Sequence, residues 1–147
     1  MADHSSNQRI IGGINATAPV PWQISLLRRD STNDPPFLHN CGGTIIDRKT
    51  ILTAAHCFMD EETRQLITDV NEFTLSFGIV QKDNTNNELI KPKNITLHES
   101  YEYGQEPHDI AIIKLQEPLE YGENIGPACL PKKLYDPKAG TDCFISG

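Results

Sequence analysis

Leu52-Thr53-Ala54-Ala55-His56-Cys57 sets one histidine among small residues and follows it directly with a cysteine. The segment before it, Thr50-Ile51-Leu52-Thr53, is β-branched and extended in character, and Phe58-Met59-Asp60 after it reads as a turn. A lone histidine is ordinarily a surface or core residue. Here a second cysteine, Cys41, opens the run Cys41-Gly42-Gly43-Thr44-Ile45-Ile46 just upstream. A bridge from Cys41 to Cys57 would close a loop and hold the backbone beside His56. A general base needs such holding, because a small misplacement of a catalytic group costs large factors in rate. Four cysteines allow three pairings, and sequence alone leaves a Cys129–Cys143 bridge open.

Outward from this stretch the chain is a succession of short strands. Gln23 to Leu27 reads as the first, after Pro19 and Pro21 break up the approach, and Leu38 to Asp47 as the next. Glycines 42 and 43 within it signal a bulge or a close backbone approach. Glu72 to Phe77 alternates, with Phe73, Leu75 and Phe77 on one side and Thr74 and Ser76 on the other, which predicts a half-buried strand. Asn94 to His98 alternates again, and Ile110 to Leu115 is apolar at most positions, as in a strand buried on both faces. Six short strands separated by turns predict an antiparallel barrel. From Glu117 prolines at 118, 127, 131 and 137 punctuate a crossing segment that runs to Gly140.

The chain has 147 residues, which suits one domain, and a net charge of −7 with no basic block to neutralise phosphates, so nucleic acid is not an expected partner. No apolar run reaches the length of a membrane span. Met1 to Arg9 is polar and lacks the apolar centre of a signal peptide, yet the cysteines and two sequons, at Asn15 and Asn94, point outside the cell. His4, His39 and His98 have no metal-ligand spacing, so no zinc is expected.

Cys41-Gly42-Gly43-Thr44-Ile45-Ile46, Thr53-Ala54-Ala55-His56-Cys57 and Asp109-Ile110-Ala111-Ile112-Ile113-Lys114-Leu115 resemble the trypsin/chymotrypsin family of serine proteases. Arg9-Ile10-Ile11-Gly12-Gly13 matches that family's activation junction, and the motifs follow the family's order over nearly all of the chain after residue 9. The resemblance implies an all-β fold: a six-stranded antiparallel Greek-key barrel, the first of two in such a protease. The expected divisions are a leader over 1–9, the barrel over 10–116, an inter-barrel linker over 117–140 and the opening strand of a second barrel over 141–147.

It also implies roles. His56 is expected to be the general base and Asp109 the carboxylate that orients it. Arg9–Ile10 is the expected cleavage site of an activating protease, and Cys41–Cys57 the expected disulfide. Cys129 and Cys143 are left with their family partners missing. No Gly-Asp-Ser-Gly-Gly occurs before Gly147, so the nucleophile is absent and the implied function is the N-terminal half of a trypsin-like endopeptidase, inactive by itself. Its expected partners are a protein or peptide substrate and the missing C-terminal barrel, in a secreted protein. The alternative is a single-barrel, non-catalytic binding or regulatory relative. No cofactor is called for. Ile79 stands where calcium-binding relatives carry an acidic ligand and Glu88 alone would not hold the ion, so no calcium site is expected. His108 stands where a polar amide is frequent, and no role attaches to it.

Overall fold

The computed structural model describes residues 13–14, 16–30, 36–60, 62–67, 69–78, 89–105, 107–132 and 135–146. Among the described residues, seven strands form one antiparallel sheet: β1 (Gln23–Arg29), β2 (Phe37–Asp47), β3 (Thr50–Thr53), β4 (Phe73–Phe77), β5 (Leu89–Ile90), β6 (Pro92–Leu97) and β7 (Ala111–Leu115). Their order across the sheet is β5-β4-β1-β2-β3-β7-β6. The run β4-β1-β2-β3 is a Greek key, three consecutive strands with the fourth returning beside the first.

The sheet curls into a nearly closed barrel, and a single bend accounts for seven strands where six are expected. β5 pairs with β4 and β6 pairs with β7, although only Lys91 separates them in the chain. One extended segment therefore turns a corner and joins both ends of the sheet. Pro92, with no N–H to give a ladder, opens the second half, and the Lys91 carbonyl accepts from the Gln116 amide at 3.1 Å.

The core lies inside this curl. Ile24, Leu26, Ile45, Ile51, Phe58, Phe73, Leu75, Ile113 and Leu115 are buried there, with Phe58 edge-on to Phe73 at a centroid distance of 5.0 Å. Gly43 sits where a Cβ would lie 2.9 Å from Ile24 Cδ1 and 3.1 Å from Ile51 Cγ2, so the expected close approach is real. Leu119 is also buried. The segment after β7 folds back on the barrel through bonds from Leu119 N to Arg48 O (2.7 Å) and from Ala128 N to Ile45 O (2.9 Å).

Two burial expectations need correction. β7 is not buried on both faces: Ala111, Ile113 and Leu115 point inward, while Ile112 is 38% exposed and Lys114 faces out. At β7 the concave side of the sheet faces the core and the convex side faces solvent, and an apolar run does not change that. β4 is not half-buried: Thr74 and Ser76 are as enclosed as the aromatic residues between which they stand. Thr74 meets burial by donating its hydroxyl to the Ile90 carbonyl at 3.3 Å.

Candidate active site

The pairing of β3 with β7 builds the site. Thr53 lies opposite Ala111, and because the strands are antiparallel, the residues after Thr53 meet those before Ala111. His56 and Asp109, far apart in sequence, are thereby brought together. Past Ala54 the chain tightens into a 3₁₀ turn, Ala55–Phe58, that buries Ala55, Cys57 and Phe58 and leaves the His56 side chain 57% exposed. Three apolar anchors thus hold the turn to the core and present the imidazole to solvent.

Asp109 reaches His56 twice. Its Oδ2 lies 2.7 Å from His56 Nδ1 and its Oδ1 accepts from the His56 backbone N–H at 2.8 Å. A carboxylate only accepts, so this contact places a proton on Nδ1 and leaves the Nε2 lone pair available. Burial by itself would raise the Asp109 pKa, but the hydrogen bonds from the His56 ring and backbone and the nearby imidazole charge outweigh it, and the net shift is downward. Asp109 is therefore held as an anion. Tyr101 beside it is shifted up, first by burial and then by the Asp109 charge.

The backbone before Asp109 is fixed as well. His108 adopts φ 68°, the left-handed region that a side chain rarely occupies, and its carbonyl accepts from Ile110 N at 2.7 Å. Its ring stacks on that of His98 at 4.6 Å between centroids and 10° between planes, a contact that sequence spacing did not reveal.

Cys41 and Cys57 are joined, with Cα atoms 6.1 Å apart. Their sulfurs lie 3.9 and 3.7 Å from His56 Nε2. This is the one cluster of metal-ligating residue types among the described residues, and a disulfide offers no thiolate, so it does not make a metal site. Thr53 Oγ1 donates to the Gly42 carbonyl at 2.8 Å, and Asn40 Nδ2 donates to the Cys57 carbonyl at 2.9 Å. Neither contact was foreseen. An asparagine in a strand carries no signal beyond its poor fit to a regular ladder.

Of the remaining expected site residues, Cys129 and Cys143 are free and exposed. Asn94 is exposed on β6, its amide 3.0 Å from the Thr96 hydroxyl of the same sequon. Arg9, Ile10, Asn15, Ile79 and Glu88 lie outside the described residues. His39 is no isolated histidine, since its Nδ1 is 2.6 Å from Ser25 Oγ.

The family profile described as Trypsin matches residues 10–147. The chain belongs to the trypsin family. Among its relatives, coagulation factor XI of Bos taurus is 31% identical over 149 aligned residues, 95% of this chain and 21% of the relative. Venom serine protease 34 of Apis mellifera is 33% identical over 145, again 95% of this chain and 34% of the relative. This trypsin-family chain thus spans about a fifth and about a third of the lengths of these two proteins.

Proposed function

We propose that this chain supplies the base and its orienting carboxylate to a serine endopeptidase, whose nucleophile is carried outside these 147 residues. One observation carries the proposal above the others: both oxygens of Asp109 are spent on His56, at 2.7 and 2.8 Å. A carboxylate that merely capped a turn would have no need of the ring. This one fixes the tautomer and the orientation of an exposed imidazole, which is what a general base requires. The division of labour is the one by which this family is known. A serine hydroxyl brought to His56 Nε2 gives up its proton there as its oxygen attacks the scissile carbonyl. The imidazolium then formed is stabilised by the Asp109 anion, and it returns the proton to the leaving amine. The substrate is accordingly a protein or peptide.

Three further parts of the proposal follow family membership. Cleavage at Arg9–Ile10 by an activating protease frees the Ile10 amine. The protein is secreted, as its disulfide and the names of its relatives support. Asn94, exposed with its sequon hydroxyl in reach, and Asn15 are glycan acceptors.

The test is an assay of the chain alone and then with the remainder of the protease domain supplied from the same gene. Peptide hydrolysis is expected only in the second case, and should vanish with His56→Ala and with Asp109→Asn. Hydrolysis by the purified chain alone, blocked by a serine-directed phosphonate, would overturn the placement of the nucleophile. Full activity of the completed protein carrying His56→Ala would overturn the role of His56.

A further inference from the structure

We propose that Asn40 is a positioning residue for His56, acting through the carbonyl of Cys57; this rests on the reading of His56 as the base. Three observations converge on it. The first is the ladder between β1 and β2, which pairs Leu26 with Cys41 and Leu27 with His39, so Asn40 is the residue left over in a bulge. A bulge breaks the alternation of side chains and re-aims the one it frees. The freed side chain here is aimed across at the His56 turn.

The second observation is what that turn lacks. It is a single 3₁₀ turn with no side-chain cap at its start. At its end Met59 N bonds to His56 O at 3.0 Å, but the next amide, that of Asp60, turns away to the Gln65 carbonyl at 2.9 Å. The Cys57 carbonyl is thus passed over by the amide that would continue the turn, and Asn40 Nδ2 meets it at 2.9 Å. A carbonyl can only accept, so the amide nitrogen is the atom that must face it.

The third is the company Asn40 keeps. Its neighbour Cys41 is bonded covalently to the same residue, Cys57. A single link leaves a torsional freedom about itself, whereas a disulfide to the side chain and a hydrogen bond to the carbonyl fix Cys57, the residue that follows His56. Asp109 fixes the peptide that precedes His56, through the His56 N–H. The imidazole is the exposed tip of a turn clamped on both flanks, and Asn40 supplies one of the clamps.

The test compares Asn40→Ala, Asn40→Asp and Asn40→Gln with the unaltered chain, each checked by mass for the Cys41–Cys57 bridge. Aspartate keeps the shape of asparagine, yet its ionised carboxylate has no proton to donate; glutamine keeps the donor on a longer arm. Exchange of the His56 Nδ1 proton with water, read by NMR on ¹⁵N-histidine-labelled chain at neutral pH, should accelerate about tenfold in the alanine and aspartate variants, the scale expected when one ordinary hydrogen bond is lost, and return toward the original rate with glutamine. In the completed protease domain the same two variants should lower kcat with KM unchanged. Unchanged exchange in both variants overturns the proposal, as does a fall in Tm with no change at His56, which would leave Asn40 a purely structural bond. Should the completed domain show no hydrolysis even when unaltered, the protease reading fails while the exchange data still decide whether Asn40 holds His56.

Discussion

Removal of the Cys41–Cys57 bridge should destabilise the chain mainly through its unfolded state. The cleanest perturbation is the double change Cys41→Ala with Cys57→Ala. A single change would leave a reactive thiol beside His56, and alanine avoids placing a hydroxyl at the buried Cys57 position. The bridged residues are 16 apart in sequence, and closing a loop of that size lowers the entropy of the unfolded chain by an amount worth about 3 kcal/mol. Lost packing around the Cys57 sulfur, which is enclosed with Ala55 and Phe58, adds to this in the folded state. The Asn40 and Thr53 bonds across the same loop survive, because both are accepted by backbone carbonyls. Urea unfolding followed by the fluorescence of Trp22 reads the effect. With a slope of about 1–3 kcal/mol per molar urea, the midpoint should fall by about 1–3 M. Cys129 and Cys143 are alkylated first, so that reductant acts on the one bridge alone. Reduced unaltered chain should then unfold close to the double variant. A midpoint within about 0.3 M of the oxidised chain would refute the reasoning, since it would mean that the loop is closed by the fold without need of the bond.

Gly43→Ala should cost about 1–3 kcal/mol, because its Cβ would stand 2.9 Å from Ile24 Cδ1 and 3.1 Å from Ile51 Cγ2, both in the packed core; an unchanged thermal midpoint would contradict the close approach. Asp60 is held at a pKa of about 2, first by the Thr63 backbone N–H and then by the Arg28 guanidinium and the Thr63 hydroxyl. Its folded pKa is below its unfolded value of 3.8, so the unfolded chain takes up the proton first as pH falls; the stability it gives is present above 3.8 and is lost on the way down to about 2. Asp60→Asn should flatten stability against pH in that window, as acid titrations of the two proteins by circular dichroism would show. Cys129 and Cys143, free and exposed, should both react with a thiol reagent under native conditions while Cys41 and Cys57 do not, giving two added labels by mass.

Family and barrel were legible because the motifs that carry them are local. Thr53-Ala54-Ala55-His56-Cys57 and Asp109 to Leu115 each read as a unit, and the alternation of Phe73, Leu75 and Phe77 is a property of one strand. Local order also placed the start of β1, since Pro19 and Pro21 break up the approach to Gln23. Burial on the second face was not legible. Ile112 and Ser76 depart from what their polarity predicts, because a residue's far side is decided by whatever the curl of the sheet puts there.

The sequence by itself determined that a histidine and an acidic residue in the motifs of the trypsin family would be present, and that a cysteine would stand beside the histidine. Only the tertiary structure decided how they act on one another. The antiparallel pairing of Thr53 with Ala111 sets Asp109 against both the ring and the backbone of His56. The bulge between Leu26 and Leu27 on one strand, and Cys41 and His39 on the other, turns Asn40 toward the Cys57 carbonyl. Pairing register and bulge position are properties of two strands together, and no single stretch of chain contains them.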